Sequence, residues 1–152
     1  MQRRDDDSAP SQVVFGGVTP ILRVADIEAS LAFYVEALGF QVDWTHPEKF
    51  ASVSRGKVGL MLCGGDQGRA GAWVYVGIND ADALHAELLA KGVAIRHPPT
   101  NYPWGAREMQ VSDPDGNVLR FASDAADEAF GPWRDGQGSL WYPQPDGSWR
   151  QE

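Results

Sequence analysis

The sequence is poor in residues that cross-link a chain, bind metals or cross a membrane. It has one cysteine, three histidines and no apolar run approaching the ~20 residues of a membrane-spanning helix. Cys63 cannot form an internal disulfide, and its apolar neighbours predict a buried strand residue, so we expect a reducing, cytoplasmic environment. Residues 1–12 are charged and lack the apolar core of a secretory signal, which predicts a disordered tail.

Positive charge is also scarce. The chain has 13 Lys and Arg against 21 Asp and Glu, which gives a formal net charge of −8. An acidic surface disfavours nucleic acid and anionic membranes, so we expect neither as a partner. The acidity suits a cationic ligand, although solubility alone also explains it.

The hydrophobic pattern describes one structural unit that occurs twice. Residues 13–24 alternate as in a strand, interrupted by Pro20, and residues 73–78 repeat that pattern. A helix follows each of these strands, and the helices begin at Asp26 and at Asn79 or Asp80 and end at Gly39 and Gly92. Each helix precedes three short strands, predicted at 40–44, 50–54 and 58–62 and again at 93–95, 107–111 and 118–122, with a loop over 98–103.

This duplication predicts an α+β fold built from two βαβββ modules, residues 13–65 and 70–124. Each half alone has too little core to be stable, so we expect the modules to form one domain, 13–124, with a cup-shaped mixed sheet and the helices outside. Residues 125–152 form an aromatic C-terminal extension, in which 140–142 and 148–150 predict a hairpin. We expect it to pack on the domain or on a partner subunit, either across the cavity mouth or over a sheet edge.

Three motifs resemble the glyoxalase, bleomycin-resistance and extradiol dioxygenase proteins, the vicinal oxygen chelate superfamily. Val24-Ala-Asp-Ile27 with Leu38-Gly-Phe40 is similar to its first helix, Asp80-Ala-Asp-Ala-Leu84 to its second, and Asp113-Pro-Asp-Gly-Asn117 to its last hairpin. The resemblance implies paired modules around a cavity, and often a homodimer with two sites at or near the interface. The type that the chain most resembles is the metal-free bleomycin-resistance protein, which implies drug binding and antibiotic resistance.

The resemblance also implies where metal-using members place their ligands, and those positions hold Thr19, Trp73 and Arg120 here. An indole only donates hydrogen bonds, and a guanidinium stays cationic, so neither can bind a divalent ion. No carboxylate or imidazole stands near Met61, where some members add a ligand. His46, His85 and His97 lack the spacing of a metal motif. We therefore expect no metal and no cofactor.

Aromatic residues stand where the ligands would be. Trp73 and Tyr75 should face the cavity, because Val74 and Val76 form the helix-facing side of that strand. Flat rings stack on planar ligands and attract cations, although they could also merely fill an emptied cup. The predicted ligand-binding residues are Thr19, Trp44, Phe50, Met61, Trp73, Tyr75, Trp104, Arg107 and Arg120.

Arg120 complicates the expected ligand. An inward arginine favours an anionic or carbonyl partner, unless it pairs with an internal acid such as Glu108. No Ser-His-Asp, Cys-His or carboxylate-pair arrangement stands out, and the possible acids or bases, Glu108 and Asp43, have no positioned partner. The sequence therefore favours metal-independent binding of a planar, drug-like small molecule over catalysis. The alternatives are a superfamily enzyme, lyase or dioxygenase-like, with an absent or non-standard metal site, and an interaction domain whose tail binds a protein.

Overall fold

The structure is a computed structural model that describes residues 12–47, 49–102, 104–125, 133–144, 146 and 148–152. Except for residue 12, the predicted tail lies outside these residues. Each module contains one four-stranded mixed sheet in which the first strand runs parallel to the last. The elements of the first module are β1 Ile21–Arg23, α1 Ile27–Ala32, a π-helical turn Phe33–Ala37, β2 Gln41–His46, β3 Phe50–Arg55 and β4 Val58–Cys63.

The second module repeats this order of elements, and a separate small sheet follows that module. The elements of the second module are β5 Trp73–Gly77, α2 Ala81–Ala90, β6 His97–Asn101, β7 Ala106–Ser112 and β8 Val118–Asp124. The strand orders are β1-β4-β3-β2 and β5-β8-β7-β6, so the α+β fold of two βαβββ modules is confirmed. The extension contains β9 Trp133–Arg134, β10 Leu140–Pro143 and β11 Trp149–Gln151, and β10 and β11 form the predicted hairpin.

The helix boundaries follow the predicted capping residues. The Asp26 side chain accepts hydrogen bonds from the backbone N–H of Glu28 and Ala29, and Asp80, rather than Asn79, caps α2 through the N–H of Ala83. Gly39 and Gly92 have φ of +71° and +72°, a conformation that costs glycine little and ends both helices. No helix within the described ranges is long and apolar enough to cross a membrane.

Two predicted strands were wrong in their extent. The first strand covers only Ile21–Arg23, because Gly16, Gly17 and Pro20 interrupt the preceding segment, whose apolar side chains are exposed. In the second module, the first strand after the helix is β6, His97–Asn101, and not residues 93–95. Pro98 and Pro99 are tolerated there because β6 is an edge strand whose pairing shifts register between His97 and Thr100.

One hydrophobic core joins the two modules. It includes the helix-facing side chains of both sheets, such as Leu22, Val53 and Leu62 from the first and Val76, Met109 and Phe121 from the second. Strands of the two sheets do not pair with each other in the part of the chain that the structure describes. Because side chains alternate along a strand, the opposite face of each sheet points away from this core.

The turn Asp113–Asn117 fastens the second module to the first. Asp115 Oδ1 accepts a hydrogen bond from the Ala25 N–H at 2.8 Å, and Asn117 Nδ2 donates to the Arg23 carbonyl at 3.0 Å. The Tyr34 hydroxyl donates to Asp113 Oδ2 at 3.0 Å inside the core. The motif that marks the last hairpin therefore also holds the start of the first helix.

Candidate functional site

The face of the second sheet that points away from the core presents a cluster of aromatic and charged side chains. We call this cluster the module-2 face: Trp73, Tyr75, Tyr102, Trp104, Glu108 and Arg120. The strand register places Tyr75 beside Arg120, and Arg120 beside Gln110 two residues from Glu108, so their side chains share one face. Val74 and Val76 pack into or against the core on the other face. Trp73 and Tyr75 are 55% and 59% exposed.

Glu108 lies at the centre of the module-2 face. Its side chain is buried, although the face around it is open. Oε1 accepts hydrogen bonds from the Tyr75 hydroxyl at 2.8 Å and from Trp104 Nε1 at 2.9 Å. Oε2 accepts from Arg120 Nε at 2.6 Å, and Arg120 Nη2 contacts the same oxygen. A buried carboxylate needs such partners, and these four donors neutralise and orient it.

Aromatic rings surround the Arg120 guanidinium. Its central carbon lies 5.5 to 5.7 Å from the ring centres of Tyr75, Tyr102 and Trp104, within cation–π range. Tyr102 and Trp104 stack on each other with centroids 4.7 Å apart. Burial and the Glu108 carboxylate raise the pKa of Tyr75 and Tyr102, so both phenols stay neutral at physiological pH.

The first sheet carries its own aromatic face, the module-1 face: Asp43, Trp44, Phe50, Ser52 and Met61. The Trp44 and Phe50 rings are stacked, with centroids 5.9 Å apart. Register pairs Ser52 with both Trp44 and Met61, which places these residues side by side. Trp44 and Phe50 open onto a cavity of about 360 Å³ whose rim includes Asp66 and Gln67 of the glycine-rich link.

The structure therefore divides the predicted ligand-binding residues into two groups. Trp73, Tyr75, Trp104 and Arg120 lie together on the module-2 face, and Trp44, Phe50 and Met61 on the module-1 face. Thr19 is exposed ahead of β1, outside any strand.

Arg107 lies on neither the module-1 face nor the module-2 face. It lies on the helix side of β7, where its Nε and Nη2 donate to the Asp82 carboxylate of α2 at 2.8 and 2.9 Å. The helix side also has a cleft of about 470 Å³ between the modules, and none of the predicted ligand-binding residues lines it.

Residues 14–121 match the family model of the Glyoxalase/Bleomycin resistance protein/Dioxygenase superfamily. The chain belongs to this superfamily. No curated protein matches the chain. Among solved structures, the bleomycin-binding protein of Streptomyces verticillus, complexed with copper(II)-bleomycin, is 29% identical with a TM-score of 0.62, and the match covers 75% of this chain and all of that one.

Two further superfamily structures have similar folds. A glyoxalase/bleomycin resistance protein/dioxygenase from Nocardioides is 25% identical with a TM-score of 0.60, covering 79% of this chain and 91% of that one. A lactoylglutathione lyase from Agrobacterium tumefaciens is 18% identical with a TM-score of 0.61, covering 70% and 92%. At that identity the likeness shows the fold alone.

A divalent ion does not fit the three residues that the family resemblance predicted at metal-ligand positions. Thr19, Trp73 and Arg120 offer no imidazole, thiolate or carboxylate, and Glu108, the carboxylate paired with Arg120, already accepts four protein contacts. Within the described ranges, no three His, Cys, Asp or Glu residues group as a metal site would need.

Sequence reasoning missed several residues of the two faces. Tyr102 was absent from the predicted residues although it lies in the same aromatic loop as Trp104, and that clustering was the available signal. Asp66 and Gln67, in the glycine-rich link, were also absent from the predicted residues. Glu108 was considered as a partner of Arg120, and the structure confirms that pairing.

Proposed function

We propose that this protein is a metal-independent small-molecule binding protein that sequesters a planar aromatic ligand on its two aromatic faces. The observation that carries the proposal is Arg120, a permanent cation at a metal-ligand position, held by Glu108 and surrounded by three aromatic rings. This arrangement offers flat stacking surfaces and hydrogen-bond donors, and no group with the partners of a catalytic acid or base.

The ligand site needs two copies of the chain. Each aromatic face points away from the core that joins the modules, so one chain cannot close a cavity between its own two faces. A homodimer that places the module-1 face of one copy against the module-2 face of the other forms two equivalent sites, as a two-fold axis requires. Trp44, Trp73 and Trp104 are each more than two-fifths exposed in the single chain, as expected of residues that a partner or ligand covers.

Similarity to the bleomycin-binding protein supports this class of ligand. The likeness spans all of that chain. Sequestration of a toxic planar molecule would give drug resistance without any chemical step. The lone, buried Cys63 suits the reducing cytoplasm, where we place the protein.

Calorimetric titration of the purified full-length chain with metal-free bleomycin and with ethidium, a planar cation, tests the proposal. We expect saturable binding of at least one of them at one ligand per chain. Trp73→Ala and Trp44→Ala should each weaken it about tenfold, the loss of roughly 1–1.5 kcal/mol of stacking. Trp149→Ala, which removes a similarly exposed ring from the extension, should leave the affinity unchanged.

Two results would contradict the proposal. Absence of binding of both ligands, in titrations at two temperatures, removes the support for sequestration of planar molecules. One tightly bound metal ion per chain, measured on protein purified without a metal-affinity tag or chelator, would instead favour the enzyme alternative. Sedimentation equilibrium should give twice the chain mass of 16.6 kDa.

A further inference from the structure

On the module-2 face, the acceptor atoms of Glu108 all have partners, whereas some donor atoms of Arg120 have none among the residues that the structure describes. Glu108 is only 2% exposed, and both of its oxygens are occupied by Tyr75, Trp104 and Arg120. The Arg120 side chain, in contrast, is 30% exposed. The carboxylate is therefore inaccessible to a ligand, whereas part of the Arg120 side chain can be reached.

Arg120 retains donors after it has bound Glu108. A guanidinium carries five N–H groups, and the contacts to Glu108 use Nε and Nη2. Among the described residues, no hydrogen-bond acceptor contacts Nη1 within hydrogen-bond distance. The charged pair therefore presents donors to a bound molecule and no free carboxylate acceptor.

The ion pair also decides what kind of acceptor suits this site. An unpaired arginine favours a full anion such as a carboxylate or phosphate. Here the Glu108 carboxylate already balances the charge, so a second anion would meet a nearly neutral pair and a buried negative charge. A neutral oxygen acceptor on a flat ring can accept from Nη1 while its ring lies against Tyr75, Tyr102 or Trp104.

We propose that the Arg120 guanidinium selects planar aromatic ligands that carry a carbonyl oxygen, by donating a hydrogen bond from Nη1 to that oxygen. This inference rests on the proposed function, because it names the ligand class of the same site. Arg120 is then a specificity-determining residue, and Glu108 is the positioning residue that orients it within the ring cluster.

Two probes of similar shape and equal charge measure what a ring carbonyl contributes to the affinity. Anthraquinone and anthracene that each carry one trimethylammoniomethyl group at position 2 share a flat three-ring body and one positive charge, and only the first has ring carbonyls. In calorimetric titrations of the full chain, we expect the quinone to bind about tenfold tighter or more, as one charge-assisted hydrogen bond predicts.

The matched variants replace ion pairs by neutral side chains and remove the arginine donors. In the double variant Glu108→Gln with Arg120→Met, the charges are removed together, which avoids an unpaired buried ion, and the tenfold preference should fall to about twofold or less. The control, Asp82→Asn with Arg107→Met, removes a similar guanidinium–carboxylate pair from the opposite side of the sheet and should keep the full preference. Circular dichroism confirms that both variants are folded.

The outcomes separate this inference from the proposed function. If both probes bind the wild type equally, planar-ligand binding stands and selection by Arg120 is wrong. If the preference survives in the double variant that lacks the Glu108–Arg120 pair, the carbonyl is recognised elsewhere and the inference is also wrong. If neither probe binds, both the inference and the proposed function lose their support.

Discussion

Tyr34 shows how one side chain can join two modules. Its ring lies in the core, in edge-to-face contact with Phe33 and Phe40, and its hydroxyl donates to Asp113 of the other module. Burial, followed by the nearby Asp113 carboxylate, raises the pKa of Tyr34 far above its usual range. The phenol therefore remains a neutral hydrogen-bond donor at physiological pH.

Replacing Tyr34 by phenylalanine should destabilise the protein without changing the shape of the core. The substitution leaves the Asp113 carboxylate without one of its donors, at an expected cost of about 1.5–3 kcal/mol in the free energy of unfolding by urea. Tyr142→Phe is the matched control, because that hydroxyl only makes a 3.3 Å contact with Glu152 at the surface of the extension. Equal stabilities for the two variants would show that the Tyr34 hydroxyl does not fasten the modules.

At the scale of elements, an ion pair connects the β3–β4 turn of the first module with α2 of the second. Arg55 donates to both carboxylate oxygens of Glu87, at 2.8 and 2.9 Å, and also to the Leu38 carbonyl at the end of the first helix. The hydrogen bonds from Arg55 lower the pKa of Glu87 below its ordinary value. Both side chains are more than one-third exposed, so solvent screens the pair and its contribution is small.

This pair predicts a pH dependence of known sign. Because the pKa of Glu87 is lower in the folded state, its contribution is full above the ordinary carboxyl pKa and is lost as the pH falls through the folded value. The Tm of the wild type should thus exceed that of Glu87→Gln by a few degrees or less at pH 7, and the gap should close near pH 3. Glu36→Gln, which changes an exposed carboxylate on the π-helical turn, should show no such gap. A gap that widens in acid would contradict the assignment.

At the scale of the whole molecule, the extension forms its own sheet. The strands β9, β10 and β11 pair only with one another in the part of the chain that is described. Asp135 closes the first of its turns by accepting hydrogen bonds from the N–H groups of Gln137 and Ser139 and from Trp141 Nε1. The two modules, in contrast, share one core, so the domain and the extension are separate in their strand pairing.

A chain that ends after Ala125 should therefore fold. We expect its Tm to lie within about 5 °C of the full-length value, since no strand of either module loses a partner. The same truncation, titrated with the ligand that the full chain binds, shows whether the extension covers the site: a weaker affinity at unchanged Tm indicates a cover. Failure of the truncated chain to fold would show that the extension is part of the core.

The sequence determined the local features of this protein, because each depends on neighbours along the chain. The helix caps Asp26 and Asp80, the stop glycines and the core-facing side of Val74 and Val76 follow from backbone preference and from the two-residue period of a strand. Sequence also indicated that Arg120 cannot bind a metal, since that follows from the chemistry of guanidinium alone. The strand β6 was not predicted from the sequence, because it tolerates its prolines only as an edge strand of the sheet.

Only the tertiary structure decided which residues share a site. It paired Arg120 with Glu108, which the sequence had left open, and it placed Arg107 on the far side of the same sheet, against Asp82. It also showed that the two aromatic faces point away from one common core. Packing between distant segments decides which strands become neighbours and in what register they pair. No short-range pattern in the chain encodes this arrangement.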